Sequence, residues 1–282
     1  MRTGVLLSQA GLLLLLCFIA ADGFGAERVM RVRDGAVVDF QQMIEDVKKT
    51  DLIFVGEAHS DLRHHHAQLR IIKALHASGV PVATGLEMFR ADSQKELDQW
   101  VEGTMPLGVF IGVYDRNWGM PWPWYMKILK YAREAGIPLI GLNVAGTITE
   151  KVSRHGYESL SRDEVKHLPP GITFDIDDRH LKHMRMIYEA HGKGDSTFDN
   201  FNRAQLVWDK TMAYHLMNFL KKNPGTTIVV LAGTDHAMKI GVPEQIRRQS
   251  AYRSTVILPE MPGRIDRTSI TTEECDYLLL EW

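Results

Sequence analysis

From Asp51 onward the chain repeats one pattern, in which a short continuous apolar run ends on a small or polar residue and a stretch of helical period follows. The runs occupy 52–55, 81–86, 137–142, 226–231 and 254–258. Apolar runs without alternation predict strands buried on both faces, the habit of parallel sheets. Between them, 65–77, 94–101, 124–135 and 205–221 predict crossover helices. The fold class that follows is α/β, an open and mostly parallel sheet flanked by helices. One stretch, about 156–202, holds no strand candidate and is broken at Pro169, Pro170 and 192–194. It predicts a helical insertion over the C-terminal strand ends. His180, His183, Tyr188 and His191 recur in it near helical spacing beside Met184 and Met186, as either a methionine-filled packing seam or a lid that meets a ligand. The apolar tail 276–280 predicts one more strand.

The start of the chain follows a different rule. Arg2 precedes a fully apolar run over 12–21, too short to span a bilayer, and Asp22, Gly23 and Gly25 then interrupt it. This predicts a signal peptide over 1–26 with cleavage near Gly25 or Ala26, export to the periplasm or cell envelope, and a single domain over 27–282. Cys17 is the one residue that could take a lipid anchor, but Leu16 stands where a small residue is expected. Once the leader is removed only Cys275 remains, so no internal disulfide is expected. Lys and Arg number 33 against 35 Asp and Glu, a net charge of -2, which leaves no positive field for nucleic acid.

Chemistry is sought just beyond the carboxyl ends of the strands, where open α/β sheets bind ligands. Those positions are polar here. Gly56-Glu57-Ala58-His59 and Gly233-Thr234-Asp235-His236 are both Gly-x-x-His with an acid inside, and Glu87 and Asn143 end two further runs. Glycine is expected to let the chain turn off the strand, often at positive φ, so that the imidazole points back over the sheet. His59, Glu87 and His236 could then hold a divalent ion, with Glu57 or His64 as the base acting on bound water. His64, His65 and His66 are consecutive and point about 100° apart on a helix, so only one or two can face a single centre. Three of the six Trp fall in 114–125, which is read as a loop too broken by Pro and Gly to be one element. It forms either an aromatic clasp or a wall for a flat apolar ligand, with Arg116 available to a carboxylate. Trp208 and Asp209 lie on a predicted helix, where Asp209 could orient Arg116 or a histidine.

Four motifs together resemble the ChaN family: Val55-Gly56-Glu57-Ala58-His59 with His64 and His65, Gly85-Leu86-Glu87-Met88-Phe89, Trp208-Asp209-Lys210-Thr211-Met212-Ala213, and Leu231-Ala232-Gly233-Thr234-Asp235-His236 with Gly241-Val242-Pro243. The likeness covers about 50–259. It implies an exported haem-binding protein of iron uptake, handing haem between envelope haem-transport components, with haem held between two subunits of a homodimer by tyrosine ligation. It also implies kinship with the Tiki and TraB superfamily, whose paired Gly-x-x-His motifs are associated with metal-dependent peptidase chemistry. Among Tyr125, Tyr157 and Tyr188, the haem ligand is assigned to Tyr157, with Arg116 or a lysine meeting the propionates. A haem carrier and a metal-dependent hydrolase are therefore the two readings.

Overall fold

The computed structural model describes residues 28–190 and 195–280. The expected leader with Cys17, and His191 with the break at 192–194, lie outside the described residues.

All five apolar runs are strands: β3 (Leu52–Glu57), β4 (Val82–Arg90), β5 (Leu139–Asn143), β6 (Thr227–Gly233) and β7 (Ser254–Pro259). The tail supplies β8 (Tyr277–Leu280). Two short strands that periodicity does not reveal, β1 (Arg28–Arg31) and β2 (Ala36–Asp39), pair antiparallel and extend the sheet beyond β8. The order is β2-β1-β8-β7-β3-β6-β4-β5, with parallel pairing from β8 to β5. This is a mixed, mostly parallel eight-stranded sheet. β6 enters late in the chain yet lies between β3 and β4, in register Glu57 to Gly233 and Leu86 to Leu231.

Successive side chains of a strand face opposite sides, and the core divides accordingly. Ile53, Val55 and Leu231 pack with Ile71 and Leu75 of α2 (Leu62–Ala77) and with Tyr125 and Leu129 of α5 (Trp122–Ala135). Leu52, Phe54 and Val230 pack on the other side with Met212 and Leu216 of α9 (Phe198–Lys222). The remaining helices are α1 (Phe40–Val47), α3 (Gln94–Val101), α4 (Leu107–Asn117), α6 (Gly146–His155), α7 (Arg162–Val165), α8 (Asp178–Ala190), α10 (Thr234–Ala237) and α11 (Val242–Arg247). The insertion is helical as expected, with α7 and α8 leading into α9. The 114–125 segment is broken as expected, but only 118–121 is a connection outside the helices. The rest is the end of α4 and the start of α5, because Pro121 and Pro123 sit where a helix begins and the missing amide hydrogen costs nothing.

The two motif glycines stand where side-chain atoms crowd close, and neither serves a left-handed turn. Neither Gly56 nor Gly233 has positive φ, contrary to the expectation. A Cβ on Gly56 would lie 2.6 Å from Leu258 Cδ2, and one on Gly233 would lie 3.1 Å from His59 Nε2. Among the described residues no helix is long and apolar enough to cross a membrane.

Candidate functional site

The site stands over the carboxyl ends of β3, β6 and β4. Glu57, the last residue of β3, continues the side of Val55 and so turns toward α2 and α5, where its side chain is fully buried. A buried carboxylate needs partners, and this one is surrounded by them. His59 Nδ1 donates to Oε1 at 2.7 Å, Gln68 Nε2 donates to Oε2 at 2.8 Å, and the Tyr125 hydroxyl donates to Oε1. His65 Nε2 stands 3.4 Å from Oε2, with its ring 4.2 Å from that of Tyr125. Burial pushes the Glu57 carboxyl up, but the hydrogen bond from His59 and the charges of His65 and His59 outweigh it and hold the group below the ordinary Glu range. Burial opposes charge on His59 as well. The Glu57 hydrogen bond and the Glu87 charge prevail and raise it.

The opposite side of the sheet mirrors this arrangement. His236 lies on α10, the single helical turn after β6, and its Nδ1 donates to Asp209 Oδ1 of α9 at 2.7 Å. Asp209 is 2 % exposed. The edge of the Trp208 ring meets the imidazole at a centroid distance of 5.7 Å. Burial disfavours the charged imidazole, yet the Asp209 and Glu87 carboxylates overcome it and push His236 up to about 9. Glu87 stands between the two pairs. Its Oε2 accepts the Gly233 amide hydrogen at 2.6 Å, and its Oε1 lies 3.9 Å from His236 Nε2. Asn143 Nδ2 donates to the Glu87 carbonyl at 3.0 Å and steadies that strand end. His59 Nε2 and Glu87 Oε2 flank the space that a side chain at Gly233 would fill. Chemically, the site is two carboxylate-held imidazoles with a third carboxylate between them.

The structure therefore gathers Glu57, His59, Glu87, Asn143, Trp208, Asp209 and His236 of the expected set. His64 is placed differently. Its Nδ1 accepts the Ala58 amide hydrogen at 2.9 Å, which ties down the turn after β3, while the next helical position, His65, faces Glu57. Arg116 is exposed on α4 and donates to the Gly112 carbonyl of its own helix at 3.0 Å. Tyr157 lies in a 3-10 turn after α6, half-buried, with its ring 5.0 Å from Phe174. It packs with Trp208 on the cluster of Val144, Ile148, Leu168 and Val207. Tyr125 and Gln68 were missed as partners of Glu57. The only sequence signal for them was the general need of a buried acid for donors, with His65 and Gln68 three apart on one helical face.

The divalent ion expected on His59, Glu87 and His236 finds no support in this geometry. Among the described residues no group of three or more His, Cys, Asp or Glu is arranged to hold a metal ion. Each imidazole meets its own carboxylate through Nδ1, and Glu87 accepts a backbone amide hydrogen.

A profile described as haem-binding uptake, Tiki superfamily, ChaN, matches residues 43–246. Among solved structures, ChaN of Campylobacter jejuni, described with cofacial haem binding, superposes with a TM-score of 0.73 at 19% identity, covering 91% of this chain and 97% of that one. An erythromycin esterase, the EreC H289N mutant, superposes with a TM-score of 0.51 at 13% identity over 89% of this chain and 82% of that one. Both likenesses concern the fold. The chloroplast protein RETICULATA-RELATED 5 of Arabidopsis thaliana is 24% identical over 246 residues, covering 80% of this chain, which spans only 33% of that protein's length.

Proposed function

The chain belongs to the ChaN family of haem-binding uptake proteins in the Tiki superfamily, and from that membership we propose an exported protein that takes haem as cargo on Tyr157. The profile match over 43–246 is the observation that supports it most directly. The insertion suits this cargo in kind. The Tyr157 hydroxyl makes no hydrogen bond among the described residues, and its ring is braced by Phe174 and a small apolar cluster. A phenolate oxygen favours ferric haem and its transfer over oxygen chemistry. Envelope proteins would then supply and receive the haem, and a second copy of the chain would cover its other face. Hemin titrated into the protein without residues 1–26, followed by absorbance and size, is expected to give a saturable Soret change with dimer formation. Tyr157→Phe is expected to weaken it at least tenfold, while His59→Ala and His236→Ala leave it intact. No saturable change, or an unchanged Tyr157→Phe, overturns the assignment.

A second reading rests on a separate observation, the two carboxylate-held imidazoles set on either side of Glu87. His59, oriented by Glu57, is placed to take a proton from water. His236, a cation at neutral pH, is placed to stabilise developing negative charge. The reaction class is hydrolysis of an ester or amide, and no step is routed through an ion. With p-nitrophenyl acetate as probe, turnover is expected to fall by roughly 10²-fold or more in His59→Ala and to be unchanged by a chelator. Equal rates in wild type and variant dismiss this reading.

A further inference from the structure

One position along α9 from Asp209, and about 100° around the helix, Lys210 lines a second recess. It is a cavity of about 390 Å³ between α9, the end of α11 and the 169–175 segment of the insertion. Lys210, Tyr214, Gln245 and Arg248 contribute polar groups, and Asp175 and Ile172 lie on the facing wall.

Three of them, Lys210, Tyr214 and Gln245, carry polar groups with no hydrogen-bonded acceptor among the described residues. Gln245 is 1 % exposed, and its Nε2 has no hydrogen-bond partner. Lys210 is half-buried and lies in no ion pair among the described residues, so burial and the neighbouring Arg248 push its ammonium below the ordinary Lys value. The Tyr214 hydroxyl is likewise unbonded among the described residues. Arg248 is already committed to Glu244 Oε1 at 2.7 Å, Asp177 Oδ2 at 3.2 Å and the Asp175 carbonyl at 3.0 Å, so it adds positive field but little free donor capacity. A buried donor left unmatched is costly, so a ligand that supplies an acceptor is favoured.

A cation entering this recess would be repelled by Lys210 and Arg248, and a purely apolar molecule would leave the donors unmatched. An oxyanion satisfies them. Asp175 on the wall opposes a doubly charged phosphate more than a single carboxylate, and Ile172 with Pro169 and Pro170 gives a carbon skeleton something to lie against. The volume lies within the range of small-molecule sites, about 300–1,000 Å³. We propose that this recess binds a small organic carboxylate, with its oxygens on Lys210 Nζ and Gln245 Nε2. The inference stands apart from haem and from the strand-end site.

Calorimetric titration of the protein with benzoate, succinate and inorganic phosphate tests it. At least one carboxylate is expected to saturate below about 10 mM, a binding free energy of about 3 kcal/mol, and more tightly than phosphate. Lys210→Met is expected to weaken that binding at least tenfold and Gln245→Leu severalfold, while Lys210→Arg keeps part of it. Thermal unfolding of each variant checks that the fold persists. Absence of saturation by either carboxylate, tighter binding of phosphate, or equal binding by a folded Lys210→Met each overturns the proposal.

Discussion

Glu57→Ala will destabilise the protein by about 3–5 kcal/mol, the penalty for removing one partner of a buried charge network. The side chain is fully buried and accepts from His59, Gln68 and Tyr125, with His65 close by. Alanine would leave the Tyr125 hydroxyl without its acceptor, would leave the Gln68 amide only the Val55 carbonyl, and would remove the charge that His59 faces. Glu57→Gln keeps the volume but turns one acceptor into a donor that confronts donors, so it should fall between wild type and alanine. Urea unfolding of the three proteins measures this directly. A cost below about 1 kcal/mol for alanine, the scale of an ordinary single hydrogen bond, would show that water replaces the lost carboxylate and that the network is not closed. Loss of the His59 anchor would also lower the His59 pKa, because the Glu57 hydrogen bond is the largest influence raising it.

The second large effect concerns pH. His236 titrates near 9 in the folded protein against an ordinary value of 6.5, so the folded state binds its proton more tightly than the unfolded state does. A raised pKa gives stability that is fully present below the unfolded value and is lost as pH rises through the folded one. The window is therefore about 6.5 to about 9, and the contribution is of order 3 kcal/mol. Asp209→Asn removes the nearest carboxylate. It should bring the His236 titration down by more than one unit and flatten the loss of stability between pH 6.5 and 9. Imidazole proton resonances followed against pH give the first quantity, and denaturant midpoints at several pH values give the second. An unchanged His236 titration in Asp209→Asn would mean that Glu87, 3.9 Å away, sets its charge.

Much of the architecture was legible because strand and helix periodicity are local properties. The five apolar runs became the five parallel strands β3 to β7, and 94–101 became α3 with the same limits. Polar residues after those runs marked the rim correctly, since residues at the C-terminal ends of neighbouring parallel strands converge in any such sheet. The β1–β2 hairpin escaped notice because four-residue edge strands hold too few positions to show a period, and β1 is ordered by pairing with the distant β8. Prolines in 114–125 do mark a break, between α4 and α5, and the same prolines start the first turn of α5.

Chain order alone could not state which acid serves which imidazole. Tertiary structure inserts β6 between β3 and β4, and so brings Gly233 beside Glu57 and its amide onto Glu87. The alternation of side chains then sends Glu57 to one side of the sheet, while α9 presents Asp209 to His236 on the other. From the sequence, His59, Glu87 and His236 had the composition of a metal centre. In the fold each imidazole meets its own carboxylate at Nδ1, because hydrogen bonding and charge balance depend on distances of a few ångström, and those are decided by strand order and not by spacing along the chain.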